Sequence, residues 1–213
     1  MPFLASLTSM SLTAECFRDG IERIRAGLPE LETELNAADA LLGDGDTGGM
    51  IGRVVTTIAA AIKPDSDLEA SLATAARAAA SATGSSLGTL VAIGLLTSSR
   101  FAKGKQSLSW TETGAVLEEA AAAMLKRGNA AIGDKTVVDA VAAVAKALLA
   151  NPEPAMAGAV AIAGAQAALD EFRQRPCRIG RARMFAERSI GMDDPGMLAV
   201  ARIVERLAVA PAG

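Results

Sequence analysis

The chain has 213 residues, 51% hydrophobic against 21% charged, so it can bury a sizeable core and does not read as a disordered polyelectrolyte. A net charge of −3 supplies no global basic field for nucleic acid. There is no histidine and no tyrosine, which removes Ser-His-Asp triads, histidine bases and histidine metal sites, and the two cysteines, Cys16 and Cys177, are too few for a zinc cluster. What remains for chemistry is carboxylates, hydroxyls, Lys and Arg, backbone dipoles or a hard metal ion.

The pattern along the chain is helical. Residues 1–11 lack the basic segment of a signal peptide. Phe17, Ile21, Ile24 and Leu28 share one helical face, entered near Thr13 and left at Pro29. A second helix has Pro29 in its first turn and stops at Gly43. Met50, Val54, Ile58 and Ile62 form a third stripe, closed by Pro64. Ser66 with Glu69 has capping-box spacing and opens a fourth helix running towards Gly84. Further helices are expected at about residues 86–101, 109–126, 134–150 and 155–172, the seventh opened by Asp134 as its cap. A long loop, residues 174–193, precedes an Asp194-Pro195 helix start, and the last helix runs to about Val209. Alternating β-branched runs are missing. Short loops between neighbours predict antiparallel packing. The reading is one all-α domain over residues 1–213, with eight or nine helices. No apolar run reaches membrane-spanning length, so a soluble cytoplasmic protein without nucleic-acid or membrane partners is expected.

Three places break the helical pattern. The first, residues 39–49, gathers Asp39, Asp44 and Asp46 around Gly43, Gly45 and Gly48. Two like charges ~4 Å apart cost about 1 kcal/mol in water and about 4 kcal/mol at an effective dielectric of 20. Three gathered carboxylates therefore favour a cation among them, and hard oxygen ligands suit magnesium. The plainer alternative is that Asp46 caps the helix beginning near Thr47 and Asp44 is a solvated turn residue, which leaves Asp39 unexplained in the last turn of the second helix. The glycine spacing also fits a dinucleotide fingerprint, but no strand precedes it. The second break, residues 83–89, sets Ser85 and Ser86 at a helix start, where backbone N–H groups can cradle an anion or a serine can simply cap. The third runs from Arg127-Gly128 to Gly133-Asp134-Lys135-Thr136. It imitates a Walker A loop with Asp134 inserted before the lysine, and it too lacks a preceding strand. Six arginines near the long loop (Arg173, Arg175, Arg178, Arg181, Arg183 and Arg188) lack an aromatic platform for nucleic acid and better suit phosphate groups near the Asp194-Pro195-Gly196 helix start.

Taken in order, these segments resemble the nucleotide-binding subunit of bacterial dihydroxyacetone kinase, equivalent to the C-terminal domain of single-chain ATP-dependent dihydroxyacetone kinases. The residues carrying the resemblance are Asp39…Gly43-Asp44-Gly45-Asp46-Thr47-Gly48, Gly84-Ser85-Ser86, Arg127-Gly128…Gly133-Asp134-Lys135-Thr136 and Gly180-Arg181-Ala182…Glu187-Arg188-Ser189-Ile190-Gly191…Asp194-Pro195-Gly196. The resemblance implies an antiparallel barrel of eight helices with a nucleotide and two magnesium ions at its mouth. Asp39, Asp44 and Asp46 would hold the metal. Thr47, Gly48, Ser85 and Ser86 would line the phosphates of ADP or ATP, and Gly128, Val137, Arg181, Asp194 and Gly196 would contact the nucleotide. It further implies a kinase subunit that phosphorylates a small ketose held by a partner subunit through a histidine, its nucleotide exchanging as ATP or rephosphorylated as ADP by a phosphohistidine carrier protein. The chain departs from the family's usual residues at Thr47 and Met192 (histidine), Met50 (asparagine) and Met184 (tyrosine). The Gly-Asp-Gly-Asp-Thr-Gly form is also similar to the related fatty acid kinase domain. A nucleotide-sensing regulatory module is the alternative from a different class.

Overall fold

A computed structural model of the chain describes residues 11–208. The expectations placed on residues 1–10 and on Val209 lie outside the described residues. Nine α-helices are present among the described residues: α1 (Ala14–Ala26), α2 (Leu28–Leu42), α3 (Thr47–Ala61), α4 (Leu68–Ala82), α5 (Ser86–Phe101), α6 (Trp110–Gly128), α7 (Val137–Ala150), α8 (Ala157–Arg173) and α9 (Pro195–Ala208). The all-α expectation holds. Each helix from α2 onward packs on the next, and α9 returns against α2 and α1, so α2–α9 form a ring. Helix α1 lies against α3, α4 and α9.

The core follows the sequence stripes. Leu31 and Leu35 of α2, Val54 and Ile58 of α3, Val144 and Leu148 of α7, Leu169 of α8 and Met197 of α9 are buried in one cluster. Each such side chain contributes roughly 1.5–3 kcal/mol on transfer from water. Ala75, Ala79, Ala140, Ala157 and Ala165 are fully buried in the same cluster, and their small volumes let helix axes approach closely.

Three local expectations are corrected. Asp67, not Ser66, caps α4: its carboxylate accepts from the Ala70 N–H at 2.7 Å, while Glu69 accepts from Gly104 in a distant turn. Thr136 and Asp139 cap α7 through a reciprocal box, whereas Asp134 accepts from Ala131 inside the preceding turn. In both cases an oxygen one or two residues further along has better reach to the orphan N–H groups of the first turn. Strands, finally, are present: β1 (Ser11–Thr13) pairs antiparallel with β2 (Ser107–Ser109), with Leu12 opposite the buried Leu108. Strands three residues long carry no alternation to read. Pro154–Met156 form a short 3₁₀ turn before α8, and the 174–193 loop contains two more, Arg181–Phe185 and Glu187–Ser189.

The up-and-down order of the ring has a consequence for chemistry. Alternation brings the starts of α3, α5, α7 and α9 to the same end as the finishes of α2, α4, α6 and α8. Four partially positive helix N-termini therefore converge there.

Candidate active site

That end of the ring opens into a cleft of about 570 Å³. Asp39 and Leu42 from the end of α2, Asp46, Thr47 and Met50 from the start of α3, and Gly84, Ser85 and Ser86 at the start of α5 line one side. Arg127 and Gly128 at the end of α6, Thr136 and Val137 at the start of α7, Gly180 and Ala182 of the long loop, and Asp194 and Gly196 at the start of α9 line the other. All three breaks in the helical pattern, together with the final helix start, thus meet at one place.

The carboxylates come together as the sequence suggests. Asp39, Asp44 and Asp46 each offer an oxygen within 4.8 Å of the others; Asp39 is buried and the other two are exposed. Asp39 has a second duty. Its Oδ2 accepts from the backbone N–H groups of Asp46 (2.9 Å) and Thr47 (3.2 Å), so it caps α3 from the last turn of α2. This removes the objection to a negative charge at that turn, because the start of α3 faces it. The side chain of Asp46 makes no capping bond to α3, so the plainer account of Asp46 fails. Gly43 is required here, since a Cβ at that position would lie 2.5 Å from Asp39 Oδ1.

Sequence reasoning missed Asn36. Its Oδ1 accepts from Gly48 (2.7 Å) and Gly49 (3.2 Å), completing the cap of α3. The available signal was its spacing of three residues from Asp39, which puts both side chains on one face of α2. Together they occupy four N–H groups at the start of α3, leaving none of those four for an anion. Gly48 accordingly does not line the cleft: it is buried against α2, where a Cβ would collide with the backbone oxygen of Glu32.

The start of α5 is different. Ser85 Oγ accepts from Gly88 at 3.0 Å, and Ser85 N–H donates to Thr83 Oγ1 at 3.0 Å. Ser86 and Leu87 occupy the first two helical positions, where intrahelical bonding leaves N–H groups unpaired, and both line the cleft. Both readings of residues 83–89 therefore meet here: Ser85 caps α5, and the first-turn N–H groups beside it are placed where an anion could be cradled.

Across the cleft, Asp194 accepts from the Met197 N–H at 2.9 Å and caps α9. Although partly open to the cleft, its carboxyl is closely surrounded by protein, and that desolvation pushes its pKa up to about 6 against the pull of its backbone hydrogen bonds. Behind it lies Lys135, 1% exposed, its ammonium destabilised by burial and its pKa lowered. Burial raises the pKa of the neighbouring Cys177 thiol.

The arginine expectation is corrected for five of the six. Arg173 pairs with Asp170 and Asp193, Arg175 pairs with Glu171 and stacks on Phe172, and Arg188 stacks on Phe185. The exposed Arg178 and Arg183 do not line the cleft either. Arg181 stands in the chain between Gly180 and Ala182, which do line it, and Arg127 at the end of α6 lines it too. Of the positions that depart from the family's usual residues, Thr47 and Met50 line the cleft, Met192 packs with Leu42, Cys177 and Ala182, and Met184 is exposed.

A buried carboxylate beside two exposed ones, in one cleft with the first-turn N–H groups of α5, is suited to a polyanion carried with a divalent cation. Comparison with known proteins agrees with that chemistry. Residues 41–209 match the DAK2 domain, and the chain belongs to this family. It is 28% identical over 182 residues to the ADP-binding subunit DhaL of the PEP-dependent dihydroxyacetone kinase of Escherichia coli, covering 83% of this chain and 87% of that one. It is 34% identical to L-erythrulose kinase of Pectobacterium atrosepticum and 32% identical to dihydroxyacetone kinase of Citrobacter freundii, over 81% and 91% of this chain but 31% and 35% of theirs. The chain thus spans about a third of those longer kinases. The crystal structure of the C. freundii enzyme in complex with AMP-PNP and Mg2+ superposes with a TM-score of 0.71 at 27% identity, over 93% of this chain and 34% of that one. The fold is that of a DhaL-like domain, the C-terminal DAK2 domain of the single-chain kinases. Among the described residues no helix is long and apolar enough to cross a membrane.

Proposed function

We propose that this chain is the nucleotide-binding, phosphoryl-donating component of a dihydroxyacetone-type kinase. The observation that carries this reading is the meeting of the three carboxylates and the open start of α5 in a single cleft of about 570 Å³, within the range of small-molecule sites. Asp39, Asp44 and Asp46 would hold the two magnesium ions, which when bound supply charge neutralisation at the phosphate oxygens. The protein's own part is positioning. Asn36 and Asp39 fix the start of α3 so that Asp44 and Asp46 stand on a rigid turn. Ser86 and Leu87 offer backbone N–H groups and Ser85 and Thr47 hydroxyls towards the phosphates. Gly128, Val137, Asp194 and Gly196, with the apolar Leu90, Met124 and Ile179 beside them, form the remaining walls for the nucleoside, and Arg181 would contact it from the long loop.

Phosphoryl transfer makes few covalent demands on protein, so a chain without histidine can serve as the donor half. The acceptor, a small ketose such as dihydroxyacetone or erythrulose, is held by a substrate-binding partner subunit that presents it at the mouth of the cleft. The donor is ATP, or ADP rephosphorylated in place by a phosphohistidine carrier. The test is a phosphorylation assay with Mg-ATP and each ketose. The chain alone is expected to give negligible turnover and to gain it when a substrate-binding subunit is added. Robust ketose phosphorylation by the chain alone would overturn the two-component reading.

A further inference from the structure

We propose that Lys135 is a positioning residue for the cleft: its buried ammonium fastens both ends of the 174–193 loop and so holds the wall formed by Ile179, Gly180 and Ala182. The nucleotide part of this proposal rests on the function proposed above.

The Gly133-Asp134-Lys135-Thr136 segment is left unused by the metal site and by the phosphate cradle. Its lysine neither reaches solvent nor lines the cleft. Instead its three N–H donors are matched by three backbone carbonyls: Arg173 at 3.2 Å, Arg175 at 2.8 Å and Ser189 at 2.7 Å. The first two belong to the exit of α8 and the third to the far end of the loop. One cation therefore joins both ends of the loop at its base through three carbonyls at once.

Other bonds gather around this point. Gly191 N–H donates to the same Arg173 carbonyl at 2.8 Å, and Arg178 N–H donates to the Asp134 carbonyl at 3.1 Å. Ser189, fully buried, accepts from Cys177 N–H at 2.8 Å and donates to the Ala186 carbonyl at 2.5 Å. Lys135 itself sits at φ +62°, a backbone state costly for a side chain with a Cβ, so the surroundings hold it there. An ammonium suits the task because its three donors diverge from a point, whereas a guanidinium presents them in a plane. Its charge is compensated by the carbonyl dipoles and by Asp193 and Asp194 nearby. The loop it closes contributes Ile179, Gly180 and Ala182 to the cleft, and two residues beyond Lys135 stands Val137, on the same wall.

Lys135→Met keeps the length of the side chain and removes all three donors. Hydrogen exchange in this variant is expected to speed up at least tenfold at the Cys177, Arg178 and Gly191 amides, with α3–α5 unchanged. Calorimetric titration well below the unfolding temperature is expected to show Mg-ADP affinity per folded molecule weakened tenfold or more. A role limited to stability would lower the unfolding temperature and leave that affinity unmoved, and such a result overturns the proposal. Unchanged protection of the loop overturns it as well. If the wild-type protein binds no Mg-ADP, the proposed function fails while the exchange result still decides whether Lys135 fastens the wall. Should Lys135→Met not fold, Lys135→Arg keeps the charge but presents its donors in a plane and is expected to shift both readouts in the same direction; no shift in either contradicts the proposal.

Discussion

Asp46 donates its backbone N–H to Asp39 Oδ2 at 2.9 Å, across the turn that separates α2 from α3. The same carboxylate that belongs to the three-aspartate cluster is thus the cap of the helix whose start carries its neighbour. The proposed metal binding and the local fold would be joined at Asp39 and separable at Asp44 and Asp46, which are exposed.

Substitution at the cluster should expose that division. Asp44→Asn and Asp46→Asn are expected to abolish magnesium-dependent nucleotide binding with unfolding temperatures close to wild type. Asp39→Ala is expected to lose binding and also about 1 kcal/mol of stability, the usual worth of an N-terminal cap. Paired calorimetry and thermal unfolding check this. Unchanged binding in both of the first two variants would show that the cluster is not the metal site.

Asn36 reaches neither the cleft lining nor the carboxylate cluster, yet it holds two N–H groups of α3. Asn36→Ala leaves both donors unmatched in a partly buried place, at a cost of about 1–3 kcal/mol. Urea unfolding should show the loss, and magnesium-dependent nucleotide affinity should fall with it because the turn bearing Asp44 and Asp46 loosens.

Two glycines in the site motifs should respond oppositely to alanine. At Gly48 the added methyl meets the backbone of Glu32, and overpacking of this kind costs roughly 1–3 kcal/mol. At Gly84 no heavy atom lies within 4 Å of the added carbon, so a change below about 0.5 kcal/mol is expected. Thermal unfolding of the two variants distinguishes a glycine kept for helix contact from one facing the open cleft.

Asp194 makes stability depend on pH in a stated direction. Its pKa is raised from an ordinary 3.8 to about 6, so between those values the folded state holds more protons than the unfolded one. Stability from this group is present at the acid end and lost as pH rises through the window. Compared with Asp194→Asn, which does not titrate, the wild type should lose ground by about 1–3 kcal/mol from pH 4 to pH 6. Urea unfolding at several pH values checks this, and a flat difference contradicts it.

How much of this was legible beforehand depends on how local each signal is. The bounds of α5 and the Ser109 start of α6 are readable because caps and glycines lie within a few residues of what they end. The strand pair is not, since Leu12 and Leu108 are brought together only by the tertiary fold. The three aspartates are legible as a cluster because the turn that gathers them is short. The capping role of Asp39 is hidden, because it depends on α3 turning back over α2. Gly48 looks like part of a phosphate loop but serves the α2–α3 contact. The arginines near the long loop look like phosphate ligands, but acids and aromatic rings beside them in sequence claim Arg173, Arg175 and Arg188.

Calorimetric titration of the purified protein with ADP, with and without magnesium, tests most directly whether the cleft binds a nucleotide through magnesium. A magnesium-dependent binding signal is expected, or ADP already present and recovered on denaturation. No binding under either condition, with bound nucleotide excluded, would contradict it.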